Sequence, residues 1–325
     1  MGAPNPKGRR RHPPHSVVWS IFMKHLPTVV GLGEILWDLL PSGRQLGGAP
    51  ANFAYCAHLL GDRAVVASRV GEDEPGTEIR GSLLAAGITD QFLQVDPVHP
   101  TGTVKVQLDA EGQPTFQIIH PVAWDFMEWT DTWTALAHSA DAVCFGSLAQ
   151  RTAESRRTIL NFLDATPREA LRIFDVNLRQ NFYSAEIIKE SAKRANVLKL
   201  NHDELSRIGE SLAVNANEGF SFCEEVLRKF DLQLICITRG ANGSLLCDPK
   251  NTHEHPGFHI QVKDTVGAGD AFTAALVHGH LRGHSLAEMN DSANRLGAWV
   301  ASYAGAMPSL PESGLEQALA RLQMK

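Results

Sequence analysis

Residues 262–272, VKDTVGAGDAF, hold the densest run of groups that could do chemistry. Gly267, Ala268 and Gly269 form a small-residue turn, Asp270 follows at once, and then comes an apolar stretch, AFTAALVHGHL, with helical spacing. At such a place the unpaired N–H groups of a helix start point outward, and the positive end of the helix dipole gathers there. The site suits phosphate. A carboxylate repels a bound phosphate, so Asp270 has two readings. It can take a proton from a hydroxyl that then attacks phosphorus. Or it is an ordinary N-cap after a glycine turn. The tetrapeptide GAGD alone leaves both open.

Other stretches carry weaker chemistry. Asn201 and Glu204 follow the apolar run VLKL. Read locally they make a capping box, with Asn201 capping and Glu204 reaching back. Arg179 lies just past a strand end, where open α/β sheets bind ligands, or it is a surface arginine in an ion pair. Thr238, Gly240 and Gly243 read as strand–turn–strand, which is commonly just a hairpin. His253, Glu254, His255 and His259 look like metal ligands, but they lack zinc-site spacing and are expected in a loop that binds nothing.

The elements that position these groups are legible as alternation. Residues 28–33 read as a buried strand ending in glycine, and Pro50 suits the first turn of a helix that stops at Gly61. A strand over 64–70 and a helix over about 75–86 follow. Residues 101–108 and 115–119 flank the turn 109–114 and read as a hairpin, and residues 34–46 read as a strand pair broken near Pro41. From there strand and helix alternate: strands at 142–145, 171–176, 197–200, 234–238, 244–247 and 258–262, and helices near 152–164, 185–193, 216–230, 268–282 and 285–302. That alternation predicts a largely parallel central sheet covered on both faces, with the early hairpins as a small β-sheet lid over one edge.

Composition bounds the rest. The chain has 325 residues, 43% apolar and 20% charged, enough for a sizeable core. A net charge of −6 argues against a nucleic-acid surface. No apolar run reaches the length of a membrane span. Five scattered cysteines without CxxC spacing read as reduced thiols of a cytoplasmic protein. Residues 1–26 are rich in Pro and Arg and predict a disordered extension. A targeting segment, or sequence lying upstream of a start at Met23, are the other readings.

Taken together, the motifs resemble the ribokinase-like (PfkB) family of sugar kinases. The matching stretches are residues 47–52 (GGAPAN), 175–179 (DVNLR), 201–204 (NHDE), 238–243 (TRGANG) and 264–270 (DTVGAGD), in the family's order and spacing. The resemblance spans about residues 27 to 323, and GEILWDLLP followed by GGAPANFAYCAHLLG is most similar to fructokinases. It implies a three-layer α/β/α sandwich with a mostly parallel sheet. Residues 27–323 would form one kinase domain, with lid segments at about 36–46 and 100–120.

The resemblance also implies roles. Asp270 is then the base, and the amides of Gly267, Ala268 and Gly269 form the anion hole for the γ-phosphoryl of ATP. Arg179 clamps that group. Asn201 and Glu204 organise hydrated Mg²⁺. Thr238, Gly240 and Gly243 lie along the nucleotide, with Asn294 at the adenine. Asp38, Gly48 and Asn52 hold the sugar, with further polar contacts from Gln150 and Arg151 and apolar cover from Trp37, Phe116 and Trp124. Asp264, Ser309 and the carbonyls near Val266, Val300, Tyr303 and Gly305 fall where relatives bind K⁺. The expected reaction moves the γ-phosphoryl of ATP to a primary hydroxyl of a small sugar, fructose first. The alternative acceptors are 2-keto-3-deoxygluconate, ribose or a nucleoside. A catalytically silent sugar-binding regulator is the reading from another class, and the intact base and anion hole argue against it. Lid pairing in relatives implies a homodimer; neither a nucleic acid nor a membrane is expected as partner.

Overall fold

The computed structural model describes residues 2, 26–40, 43–108, 114–215 and 219–324. Most of the N-terminal extension, the hairpin turn 109–113, residues 41–42 and the start of the helix expected at 216 lie outside the described residues.

Among the described residues, nine strands make the central sheet. In spatial order they are β13 (Thr252–His255), β12 (Ser244–Cys247), β11 (Leu234–Thr238), β10 (Val197–Asn201), β9 (Leu171–Asp175), β8 (Ala142–Phe145), β1 (Thr28–Leu32), β4 (Arg63–Gly71) and β5 (Leu93–Asp96). Seven neighbouring strands, from β11 to β5, are parallel, and β12 and β13 run antiparallel at one edge. A separate four-stranded sheet has the order β3 (Gly43–Gly47), β2 (Leu36–Leu40), β6 (Gly102–Leu108), β7 (Pro114–Ile118). Both expected hairpins therefore share one small sheet. A short ribbon pairs β14 (Phe258–His259) with β15 (Gln323–Met324).

The helices sort onto the two faces by which strand residues they cover. Alternate strand residues such as Val143, Phe145, Phe174, Leu198 and Ile235 pack under α3 (Asp131–Ser139), α4 (Ala153–Ala165), α5 (Ala185–Arg194), α6 (Leu205–Leu212) and α7 (Gly219–Phe230). Their neighbours Ala142, Cys144, Ile173, Val197 and Cys236 face α1 (Ala49–Leu59), α2 (Glu74–Ala85), α8 (Ala268–His280) and α9 (Leu286–Ala301). This is the expected three-layer α/β/α sandwich, since a parallel sheet must be covered on both sides. A last helix, α10 (Leu315–Ala320), packs against α9. No described helix is long and apolar enough to cross a membrane.

Local chemistry starts the helices. Asp73 accepts the Gly76 N–H at 2.8 Å to cap α2, Thr130 and Ser184 cap α3 and α5, and Ser285 with Glu288 makes a capping box on α9.

Two sequence expectations change. Residues 253–255 are strand, not loop: β13 is a polar edge strand, and such edges are kept charged to deter further pairing. The strand expected over 258–262 ends at His259, because the chain then turns to α9, where the Lys263 N–H donates to the Ala301 carbonyl at 2.9 Å.

Candidate active site

From β1 the chain moves to β4 and β5 on one side of the sheet, and from β8 to β9, β10 and β11 on the other. The direction reverses between β1 and β8. In an open α/β sheet the crevice at the carboxyl ends beside such a reversal is where ligands bind. The carboxyl ends of β1, β9, β10 and β11 and the segments that leave them carry Glu34 and Asp38, Arg179, Asn201 with Glu204, and Thr238. Sequence-distant groups thus meet at one end of the sheet.

The helix α8 starts at this crevice. Gly267 is its N-cap at φ 77°, a left-handed conformation that glycine alone adopts without strain, and an added Cβ would meet Ala306 Cα at 2.7 Å. The Ala268 N–H donates back to Thr265 O at 3.3 Å. The first-turn amides of Gly269 and Asp270 have no helical carbonyl to reach, so they are available to an anion.

Asp270 is not the helix N-cap. It lies inside the first turn, half-buried, and its Oδ2 accepts the Asn52 Nδ2 amide of α1 at 2.8 Å. Burial and then the nearby Asp175 carboxylate push its pKa up to about 6; the Asn52 bond, Lys199 and Arg179 oppose them. A carboxylate so placed is ionised at neutral pH and still basic enough to accept a proton.

Arg179 is exposed in the loop after β9, with Nη1 donating to the Leu178 carbonyl at 3.1 Å. Asn177 and Gln180 on either side hold left-handed conformations, φ 43° and 48°, a strained bracket of the kind found at ligand clamps. Its charge reaches Glu34, Asp38 and Asp270.

Asn201 and Glu204 do form the capping box. Asn201 Oδ1 accepts the Glu204 N–H at 3.0 Å, and Glu204 Oε2 accepts the Asn201 N–H at 2.9 Å. Glu204 Oε1 also takes the Leu178 N–H at 2.7 Å, tying β10 to the Arg179 loop. With one backbone donor on each oxygen, this buried carboxylate has lone pairs left for water around a hydrated ion, which fits an outer-shell role. Burial raises its pKa, against the two backbone bonds.

The nucleotide-side residues are adjacent. Register sets Asn201 beside Thr238. Gly240 and Gly243 close a tight turn after Thr238, with the Gly243 N–H on Gly240 O at 3.2 Å. Asn294 of α9 is buried, and its Nδ2 is spent on Ser244 Oγ (2.7 Å) and on the Asn290 carbonyl and side chain.

At the other end of the crevice, Gly48 (φ 104°) lets the chain turn against β1, and a Cβ there would meet Glu34 O at 2.5 Å. Asn52 sits one turn further along α1. Asp38 lies on β2 against bare Gly47; burial raises its pKa to about 6, with Arg179 opposing and Asp264 adding.

Gln150 and Arg151 do not join this group. Gln150 is buried, and its amide donates to Gly146 O and to Ser191 Oγ on α5. Arg151 grips both Asp125 oxygens at 2.7 Å and stacks 3.9 Å over Trp124, closing the core under the small sheet. Trp37 turns to α2, with Nε1 on Pro75 O at 3.0 Å. The Phe116 side chain lies outside the described residues.

Asp264 clamps the turn after α9. Its Oδ2 accepts the Gly305 N–H and its Oδ1 the Val266 N–H, both at 3.0 Å. The Val300 carbonyl is taken by the Tyr303 N–H at 3.0 Å, and Ser309 is exposed on the following loop. Three of the four metal-like residues pair with neighbouring side chains: Glu254 with Arg239, His255 with Asp291, and His253 with Asn290.

Three charged groups of the site have roles that local sequence does not state. Glu34 is buried at the β1 end, its pKa raised to about 7 by burial, which outweighs backbone bonds and Arg179. Asp175 and Lys199 form a buried ion pair below α8 at 3.0 Å. A lysine inside the apolar strand VLKL is the trace that could have revealed the pair.

Comparison with known proteins places the chain in a family. The sequence profile described as pfkB family carbohydrate kinase matches residues 42–313. A fructokinase from Escherichia coli is 30% identical over 300 residues, covering 86% of this chain and 95% of that protein. An aminoimidazole riboside kinase from Salmonella typhimurium is 28% identical, covering 89% and 93%. The crystal structure of a fructokinase from Vibrio cholerae O395 with fructose, ADP and calcium ion aligns with a TM-score of 0.76 at 26% identity, covering 92% of this chain and 99% of that one. A profile that spans most of the chain, on a fold whose motifs meet at one crevice, leads to one assignment: this chain belongs to the pfkB family of carbohydrate kinases.

Proposed function

We propose that the protein moves the γ-phosphoryl of ATP to a primary hydroxyl of fructose, with Asp270 as the base. One observation carries this reading: Asp270 stands at the open end of α8, bonded to Asn52 at 2.8 Å. Its carboxylate there adjoins both the amides that suit a phosphoryl group and the α1 residues that suit a sugar.

In this mechanism the sugar hydroxyl gives its proton to Asp270 and attacks phosphorus in line. The amides at Gly267 and Gly269 receive the charge on the transferring group, joined by that of Ala268 once it leaves the Thr265 carbonyl, and Arg179 swings in as a cation. Thr238, Gly240 and Gly243 leave the backbone bare for the nucleotide. Asn201 and Glu204 would hold hydrated Mg²⁺ through water. Bound there, it would supply positive charge that offsets the nucleotide phosphates. Asp38, Gly48 and Asn52 orient the sugar. Residues 27–323 act as one kinase domain, and the segments 36–46 and 100–120 close over the sugar as a lid, excluding the water that competes as acceptor. Pairing of two lids would give a homodimer. Asp264, with its neighbours near Ser309, is the place for K⁺.

Fructose heads the acceptors because the E. coli and V. cholerae relatives carry that name. A nucleoside is the second reading, since another relative is an aminoimidazole riboside kinase at similar identity. ATP consumption across fructose, ribose, 2-keto-3-deoxygluconate and aminoimidazole riboside separates them. Fructose should give the highest kcat/KM. Consumption no greater with any acceptor than without would overturn the kinase reading in favour of a silent sugar-binding regulator.

A further inference from the structure

Alternation turns Cys144 of β8, Asp175 of β9, Lys199 of β10 and Cys236 of β11 toward the underside of α8, because their strand neighbours Phe145, Phe174, Leu198 and Ile235 face the opposite core. Asp175 and Lys199 stand opposite each other in register, 4% and 7% exposed. Lys199 Nζ lies 3.0 Å from each Asp175 oxygen. Thr273 Oγ1 of α8 is 3.0 Å from Asp175 Oδ2 and 2.9 Å from the Gly269 carbonyl. A Cβ added to Gly269 would stand 3.0 Å from Lys199 Nζ, so the ammonium lies directly under that residue.

A buried ion pair is weak support for stability, because apolar side chains of similar size often serve as well. Its place under the phosphate-facing turn supplies another reason for it. We propose that Lys199, locked by Asp175, which Thr273 in turn holds, is a positioning residue that sets a fixed buried cation beneath the anion hole. From there it favours both the ionised form of Asp270 and the charge on the transferring phosphoryl. The inference rests on the reading of Asp270 and its neighbouring amides given above.

The charged and titratable groups around Asp270 come from every side: Glu34 past β1, Cys56 on α1, Cys144 on β8, Asp175 on β9, Arg179 beyond it and Lys199 on β10. Asp175 disfavours the Asp270 carboxylate, while Lys199 and Arg179 favour it. Removing the two members of the pair should therefore move Asp270 in opposite directions, which a merely structural role would not do.

The test compares wild type with Lys199→Met, Asp175→Asn and the double variant, using kcat and KM from about pH 5 to about pH 9 with the best acceptor of the panel, and circular dichroism melting to check the fold. Lys199→Met should lower kcat about 10²-fold, the size of one lost anion-hole donor, with the sugar KM within about twofold. Its acid limb should move up, that of Asp175→Asn down, and that of the double variant back to or below wild type. An acid limb that stays put in all three, or moves the same way in both single variants, overturns the proposal. Should Lys199→Met fail to fold, the double variant decides: a folded protein with lowered kcat supports the proposal, and one with wild-type kcat overturns it.

Carbon-13 titration of the Asp270 carboxyl without substrate, assigned by its loss in Asp270→Asn, separates this proposal from the reading beneath it. If Asp270→Asn keeps its rate, the base assignment fails, yet an Asp270 carboxyl that titrates higher in Lys199→Met still upholds the field of Lys199. An unmoved titration refutes it.

Discussion

At the residue scale, the Asp270 carboxyl is a liability to the fold. Its pKa rises from an ordinary 3.8 to about 6, so between those values the folded chain holds the proton more tightly than the unfolded chain does. Stability then falls as pH rises through that window, and the loss persists above it. Asp270→Asn removes a charge but keeps the shape, so it should stabilise the protein by about 1–3 kcal/mol at neutral pH and by almost nothing near pH 4. Urea midpoints of both proteins against pH check this; an equal or lower midpoint for the variant at neutral pH refutes it. Turnover should fall below about pH 6. Glu34 and Asp38 titrate in the same region, so the kinetic limb belongs to the coupled carboxyls, and the stability difference reports Asp270 together with its effect on Glu34. Asp270 was legible because glycine turns and helix starts are written locally. Lys199 was not, because its partner lies 24 residues away and meets it only through strand register.

At the element scale, Glu204 joins two segments. Its oxygens serve the N–H groups of Asn201 and Leu178, joining the end of β10 to the loop of Arg179. Glu204→Ala strands both donors in a buried place and should cost about 1–3 kcal/mol per unpaired group. It should also raise the Mg²⁺ concentration needed for half-maximal rate. Denaturation together with a Mg²⁺ titration measures both; a wild-type Mg²⁺ requirement in a destabilised variant would leave Glu204 as a cap alone. Both readings of that motif were open in the sequence, since a capping box and an outer-shell metal site use the same residue types. The orientation of Gln150 was not legible for a related reason. Sequence showed that it follows a strand end, but the direction of its amide is set by packing against Ser191. Likewise β13 escaped notice because THEH has no apolar alternation, and only the neighbouring β12 makes it a strand.

At the scale of the whole molecule, one sheet separates two cores with different duties. The face under α8 and α9 carries the site, and the face under α3 to α7 is apolar support. Phe162, fully buried on the supporting face, stacks edge-on with Trp129 and Trp133. Phe162→Ala should cost about 3–5 kcal/mol and leave the sugar KM unchanged; a sugar KM raised tenfold would show the two faces to be coupled. The alternation of strands and helices made the layers legible, because a two-sided sheet demands apolar strands and amphipathic helices. The order of strands, with its reversal between β1 and β8, was not, since no local residue states which strand lies beside which. That reversal gathers the motifs around Asp270, and the account stands on what Asp270 does there. The most direct measurement is kcat of Asp270→Asn with ATP and the best acceptor, beside its ATP affinity by calorimetry. The account predicts a fall of about 10²–10⁴-fold with ATP affinity nearly unchanged. A variant that keeps most of the wild-type rate would contradict it.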